Sequence, residues 1–344
     1  MVDLRSDTQT RPSPGMREAM ARAEVGDEQE REDPTVLALE RRVAELLGQE
    51  EAVYLPTALM GNQIALSILG EPGSELIVEE RSHIMTAELG GAAYHSGLQT
   101  RALPGDRGRL SAEQVRGVPG RDGEFWTPQL SILALENTHN TAGGTVWPLG
   151  ELRETLAAAR ELGLRTHLDG ARLMNAAVAL GVPAAEIAGP FDTVTICLSK
   201  GLGCPLGALI AGSQELMYRA RIGKHRFGGA MRQAGIVAAA GLYALDHNVE
   251  RLAEDHARAR RLAEGWAAAG VPVDLELVET NFVQVDVSRL GLREEEALGR
   301  LRDRGVALSQ TKPGRLRAVT HLDVTDEDVD HALTVVPEAL LARH

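Results

Sequence analysis

Val194-Thr195-Ile196-Cys197-Leu198-Ser199-Lys200-Gly201-Leu202-Gly203 is the stretch on which the reading of this chain turns. Its first half, apolar and β-branched, reads as a buried strand. A lysine at the end of such a strand, followed by glycines, is poor core filler, because a buried ammonium is costly unless paired or deprotonated. A desolvated lysine amine is also the side chain that forms a Schiff base with an aldehyde. Upstream, Arg165-Thr166-His167-Leu168 reads as a second short strand and ends in Asp169-Gly170-Ala171-Arg172. If the two strands are parallel neighbours, Asp169 and Lys200 reach one edge of one sheet. An amine and a carboxylate in one strand-end crevice match the needs of pyridoxal 5'-phosphate (PLP). The lysine holds the aldehyde, and the carboxylate keeps the pyridine nitrogen protonated.

Outward from this stretch, short apolar strands alternate with helices. Asp33 and Pro34 open one helix as N-cap and first residue; Val36, Leu39, Val43, Leu46 and Leu47 give it an apolar stripe, and Gly48 closes it. Strands are expected at 52–55, 75–79, 130–135, 165–168, 194–198 and 206–211, with a helix at 60–69. The alternation predicts an α/β fold in three layers, a mostly parallel sheet between helices, with ligands bound beyond the strand carboxyl ends. Near Asp246 the pattern changes. A long helix at 249–269, strands at 282–287 and 316–319 and helices at 293–304 and 326–341 predict a smaller C-terminal α/β domain. The expected organisation is an extended N-terminal arm over the surface at 1–15, a large PLP-binding domain at 16–247 and a small domain at 248–344.

The 344 residues are 44% hydrophobic, ample for a large core, and carry a formal net charge of -13. That charge argues against nucleic acid or an anionic membrane as a partner, and no apolar stretch is long enough to span a bilayer. An anionic cofactor must then be held by local donors. Cys197 and Cys204 form no zinc or disulfide pattern and read as small buried hydrophobes. A soluble cytoplasmic protein is expected, with no metal site evident from spacing.

Other motifs each have two readings. Gly201-Leu202-Gly203-Cys204-Pro205-Leu206-Gly207 lacks the spacing of a dinucleotide loop and leads into a strand, so its glycines are read as room for a tight turn beside a bulky ring. Pro56-Thr57-Ala58-Leu59-Met60-Gly61-Asn62 joins a strand to a helix. It is either an ordinary N-cap or a phosphate site built from free helix N–H groups. His83 is either a hydrogen-bonded structural residue or an imidazole that stacks on a ring and moves protons. Glu136-Asn137-Thr138-His139-Asn140 is either turn chemistry or the lining of the same crevice.

Taken together, these segments resemble the threonine aldolase family, the β-eliminating-lyase branch of fold-type I PLP enzymes. The resemblance runs from Asp3-Leu4-Arg5-Ser6-Asp7-Thr8 through Glu32-Asp33-Pro34-Thr35, Ser82-His83-Ile84, the Glu136 and Asp169 segments and Ser199-Lys200-Gly201. It ends with Gly229-Ala230-Met231-Arg232-Gln233 and Val319-Thr320-His321. It implies that Lys200 carries the cofactor, Asp169 faces the pyridine nitrogen and His83 stacks on the ring; these three form the expected catalytic set. Thr57, Ala58 and Leu59 stand at the family's phosphate turn, Arg172 belongs to the same cradle, and Arg232 reaches the phosphate from a neighbouring subunit. Ser6, Arg172 and Arg317 would bind the substrate carboxylate. The implied activity is cleavage of threonine or allo-threonine to glycine and an aldehyde by a homodimer or homotetramer with shared active sites. β-Elimination or transamination of another amino acid is the alternative within PLP chemistry, and a non-catalytic member binding PLP or an amino acid the alternative outside it.

Three departures from the family pattern stand out. Thr57-Ala58-Leu59 replaces Ser-Gly-Thr, Glu30-Arg31 replaces a tyrosine and a glycine, and Trp126 stands where a histidine or aspartate often acts on the β-hydroxyl.

Overall fold

The computed structural model describes residues 1–119 and 125–342. Its strands are β1 (Val2–Asp3), β2 (Glu51–Leu55), β3 (Glu75–Glu79), β4 (Gln99–Leu103), β5 (Leu130–Glu136), β6 (Arg165–Gly170), β7 (Thr193–Cys197), β8 (Ala208–Gly212), β9 (Phe282–Asp286), β10 (Val306–Ala307), β11 (Ser309–Lys312) and β12 (Arg315–Val319). A seven-stranded sheet in the order β2-β8-β7-β6-β5-β3-β4 forms the centre. Its pairs are parallel except at β8, which lies antiparallel to both β2 and β7. The carboxyl ends of β2, β3, β5, β6 and β7 therefore share one edge.

Both faces of this sheet are buried. Along β2, Ala52 and Tyr54 enter one hydrophobic core while Val53 and Leu55 enter another, as the two-residue period of a strand requires. The helix Pro34–Leu47 begins and ends as its sequence dictates. Asp33 caps the Thr35 and Val36 N–H groups, Pro34 opens the first turn, and Gly48 stops the helix at φ 66°. The helix Ala58–Leu69 packs on β7 at Gly61, where a Cβ would stand 2.7 Å from Thr195 Cγ2.

The reversed β8 and the edge strand β4 were not expected. The link from β7 to β8 spans ten residues without a helix, too little for the crossover that a parallel return needs. β4 is a half-exposed edge strand of Gln99-Thr100-Arg101-Ala102-Leu103, so it shows neither an apolar run nor clean alternation.

A second, three-stranded antiparallel sheet, β11-β12-β9, packs with the helices Leu252–Ala268 and Asp326–Leu341 around Trp266, Val283, Leu316 and Val336. The N-terminal segment differs from the expected surface arm. β1 pairs in parallel with β10, and Leu4 is fully buried in the core of the small sheet. Its alternating Val2 and Leu4 supply the apolar side chains for that role.

At the departure from the family pattern, Arg31 adopts φ 58°, a left-handed conformation that costs a side chain about 1 kcal/mol and suits glycine. Its guanidinium lies 3.3 Å from Glu51 and 3.9 Å from Glu40.

Candidate active site

The shared carboxyl edge collects most of the predicted residues. Thr57 follows β2, His83 follows β3, Asn137–Asn140 follow β5, Asp169 and Arg172 close β6, and Lys200 lies three residues past β7. β6 and β7 are paired in register, Asp169 against Thr195, so Asp169 and Lys200 come from neighbouring parallel strands.

Asp169 is buried, and both carboxylate oxygens have donors. Oδ1 accepts from the Ala171 N–H (3.1 Å) and Oδ2 from Asn62 Nδ2 (2.9 Å). Asn62 Oδ1 in turn meets His167 Nε2 at 3.1 Å. Burial pulls the His167 pKa down to about 4, so this histidine is a neutral structural partner beneath the site. Lys200 is half-buried and lines a narrow pocket with Gly170, Arg172, Cys197 and Gly201. Its carbonyl accepts from Thr10 Oγ1 at 2.8 Å, which ties the N-terminal segment to the turn.

His83 is held twice. Its backbone N–H donates to Glu136 Oε2 (2.7 Å), and its ring Nδ1 lies 2.8 Å from Glu88 Oε1. The hydrogen bond to Glu88 raises the imidazole pKa against the opposing effect of burial, with help from the Asp169, Glu88 and Glu136 charges. Glu136 also accepts from the Asn140 N–H at 2.7 Å, so one buried carboxylate fixes two strand-end loops.

The two arginines expected at the substrate side, Arg172 and Arg317, are unequal. Arg172 closes on Asp7, with Nε and Nη2 each 2.7 Å from a carboxylate oxygen and both side chains buried. Burial works against the Arg172 charge, but Asp7 overrides it and the pKa is raised. Arg317 has no salt bridge among the described residues. Its Nη1 donates to Asn140 Oδ1 (2.8 Å), its Nη2 to the Arg5 carbonyl (3.3 Å), and its buried Nε has no partner. Burial, then the neighbouring Arg172 charge, pull its pKa down to about 10. Both guanidinium groups lie over the Phe282 ring, at 4.8 Å for Arg172 and 5.0 Å for Arg317.

The remaining predicted residues are less committed to the crevice. Thr57 Oγ1 caps the Met60 N–H at 3.2 Å, so the hydroxyl expected at a phosphate already serves the helix. Ala58 and Leu59 occupy the first helical turn, whose N–H groups have no partner within a helix. Ser6 Oγ caps the turn at Asp7–Gln9. Arg232 is exposed and pairs with Asp27 at 2.8 Å. Trp126 is 68% exposed and meets Phe125 edge-on. A cleft of about 790 Å³ lined by Ser67, Ser96, Arg219 and Phe227 contains none of the predicted residues.

Sequence reasoning missed Asp7, Asn62, Glu88 and Phe282. Asn62 and Asp7 lie inside motifs quoted for other residues. The one sequence signal for Glu88 is a carboxylate five residues past His83, in a stretch too short for a periodic pattern.

The donor set fits PLP. Lys200, the buried Asp169 and the His83 imidazole stand at one edge. Ser82 Oγ, both Asn137 side-chain polar atoms and Thr138 Oγ1 at the same strand ends are buried without partners among the described residues, as expected of groups awaiting a ligand.

Comparison with known proteins agrees with this geometry. Residues 3–289 match the beta-eliminating lyase family. The low specificity L-threonine aldolase of Escherichia coli K12 is 43% identical, the alignment covering 96% of each chain. The threonine aldolase of Leishmania major superposes with a TM-score of 0.85 at 21% identity, covering 99% of this chain and 100% of that one. A serine palmitoyltransferase variant from S. paucimobilis with a bound PLP–myriocin aldimine shares the fold at a TM-score of 0.75 and 18% identity, over 98% of this chain and 86% of that one.

Proposed function

The chain belongs to the beta-eliminating lyase family, and from that premise we propose that it is a PLP-dependent carbon–carbon lyase splitting threonine or allo-threonine into glycine and an aldehyde. The observation that carries the reading is Arg317, a half-buried guanidinium with a buried, unpartnered Nε and no carboxylate partner, which shares the Phe282 ring with Arg172 of the lysine pocket. An α-amino acid brings that missing carboxylate, which the planar fork of arginine binds in a bidentate way. Ser6 and Arg172 Nη1, which makes one long hydrogen bond of 3.5 Å to Asn140 Oδ1, complete the substrate side.

Bound PLP supplies an aldehyde for an amine and a ring that accepts electrons from the breaking bond. Lys200 Nζ would hold the aldehyde, Asp169 the proton on the ring nitrogen, and His83 the ring face. Ala58 and Leu59 N–H groups, with Thr57, would meet the phosphate. In the substrate, His83 Nε2 takes the β-hydroxyl proton, directly or through one water. The O–H electron pair becomes the second bond of the aldehyde carbonyl, the Cα–Cβ pair passes to Cα, and a proton returned to Cα completes glycine.

The same reading includes a homodimer or homotetramer in which Arg232 serves a neighbour's phosphate. Its support is the exposed apolar set Leu89, Tyr94, Tyr218 and Ile222, at 98%, 85%, 68% and 40% exposure. A cytoplasmic setting fits two free, buried cysteines. No described helix is long and apolar enough to cross a membrane.

The test is product analysis of purified, PLP-loaded protein given L-threonine and L-allo-threonine. Glycine and acetaldehyde in equal amounts are expected. A keto acid or a racemised amino acid would replace the aldolase reading with another PLP reaction, and PLP uptake without any product would favour a non-catalytic member.

A further inference from the structure

We propose that Glu88 is the residue that positions His83 for proton transfer, and that the Asn62 amide ties this pair to Asp169. The inference rests on the aldolase reading above.

Glu88 sits just past the short helix His83–Thr86, and its side chain is 0% exposed. A buried carboxylate is tolerated only when its lone pairs are met. Here Oε1 lies 2.8 Å from His83 Nδ1 and 2.8 Å from Asn62 Nδ2, and Oε2 accepts from Gln63 Nε2. The chain then leaves through Leu89 and Gly90, both at positive φ, 55° and 72°. Nothing in the reaction as described above requires a carboxylate at this point, so its burial calls for another role.

The Asn62 amide has one orientation. Its two amino hydrogens meet two carboxylates, Glu88 Oε1 at 2.8 Å and Asp169 Oδ2 at 2.9 Å, and its oxygen meets His167 Nε2 at 3.1 Å. A flipped amide would set its oxygen against both carboxylates. The ligating atoms of His83, Glu88 and Asp169 lie within 4.8 Å of one another, so two negative groups share one small volume. Like charges at that range need donors between them. The amide supplies two, and the His83 ring supplies a third.

The consequence falls on His83. With Glu88 at Nδ1, the neutral ring carries its proton there, and the lone pair is on Nε2. Nε2 makes no hydrogen bond among the described residues and is the atom left to work on a substrate. The charged groups facing the ring are Glu88 on its own turn, Asp169 at the end of β6 and Glu136 at the end of β5, all negative. Each stabilises the imidazolium that forms when Nε2 takes a proton. Glu88 acts through His83 and does not touch the substrate, so it is a positioning residue. The architecture also separates two roles in one network: Asp169 serves a ring nitrogen, Glu88 serves an imidazole, and Asn62 keeps both carboxylates supplied with donors.

Glu88→Gln isolates the charge. The new amide oxygen still accepts from His83 and Asn62. Its NH2 then faces Gln63, whose Oε1 has no partner now and can accept after an amide flip. The first measurement is a pH titration of ring 15N signals in histidine-labelled protein without PLP, with His83 assigned by its loss in His83→Asn. The His83 pKa is expected to fall by about one unit or more in Glu88→Gln, at least about tenfold in proton affinity. In PLP-loaded enzyme the acid limb of kcat/KM should move to lower pH by a similar amount. There kcat should fall by about tenfold or more, while KM for threonine stays within about twofold.

A His83 pKa within about 0.3 units of wild type would overturn the proposal. Should the variant fold poorly, the wild-type spectrum decides: the neutral ring must show the Nδ1-protonated tautomer, and the Nε2-protonated form would refute the inference. Both NMR readouts work on protein that never turns over. A failure to release glycine therefore removes the aldolase reading and leaves the Glu88 assignment to be judged by itself.

Discussion

Lys200→Ala is expected to abolish turnover and the visible absorbance of PLP-loaded protein, with circular dichroism and melting temperature close to wild type. The side chain makes no hydrogen bond or ion pair among the described residues, so its removal takes chemistry and little packing. Turnover at the wild-type rate would refute the assignment, and loss of the fold would make the lysine structural. Arg317→Lys tests the substrate side. An ammonium cannot reproduce the planar fork, so KM for threonine should rise by about tenfold or more while the resting visible spectrum stays unchanged. An unchanged KM would leave the carboxylate to Ser6 and Arg172. At this scale the sequence was readable where a residue lies at a strand end or just past it: Asp169 is the last but one residue of β6, and Lys200 lies three residues past β7. It was silent where a residue matters through a distant contact. Asp7 meets Arg172 across 165 positions, and Asn62 meets Asp169 across 107, distances over which no local spacing carries information.

The helix Ala58–Leu69 shows how an element sets the site. Gly61 lets it settle against Thr195 of β7, and that approach places Asn62, one residue on, within reach of Asp169 and Glu88. Gly61→Ala would put a Cβ 2.7 Å from Thr195 Cγ2 and 2.8 Å from its Oγ1. The helix must then shift, at a cost of about 1–3 kcal/mol, and the melting temperature should drop by several degrees. Thr195 Oγ1 is buried without a partner, so Thr195→Ala makes room at little polar cost. The double variant should recover part of both stability and activity, and strict additivity of the two changes would show that they do not touch. Elements were legible where periodicity is strong: Pro34–Leu47 begins, packs and ends as its sequence reads. Strand direction was less accessible, because an apolar run looks the same either way. For β8, the short helix-free link from β7 held the clue.

Across the whole molecule, the first ten residues join parts that are far apart in the chain. β1 lies on β10, Leu4 enters the small core, Asp7 holds Arg172, and Thr10 binds the Lys200 carbonyl. The Asp7 contact makes stability depend on acid. Burial would raise this carboxyl's pKa, but the Arg172 charge overrides it and brings it from 3.8 to about 2. A group with a depressed folded pKa stabilises above its unfolded value and stops doing so as pH falls through the folded one. The loss should therefore fall between about pH 4 and pH 2 and amount to about 2 kcal/mol. Urea unfolding of wild type and Asp7→Asn at several pH values is the check. The gap between them should narrow by that amount on acidification, and a constant gap would remove Asp7 from the acid response. The pairing of Val2 with Val306 has a further consequence in time. A ribosome adding about 5–20 residues per second needs roughly 15–60 seconds to travel between those two positions. Through that interval Val2 and Asp3 have no strand to join, and the crevice lacks one wall. A nascent chain of this protein therefore cannot begin work before β10 has been made, and the segment around Val2 must stay out of other partners' reach until then.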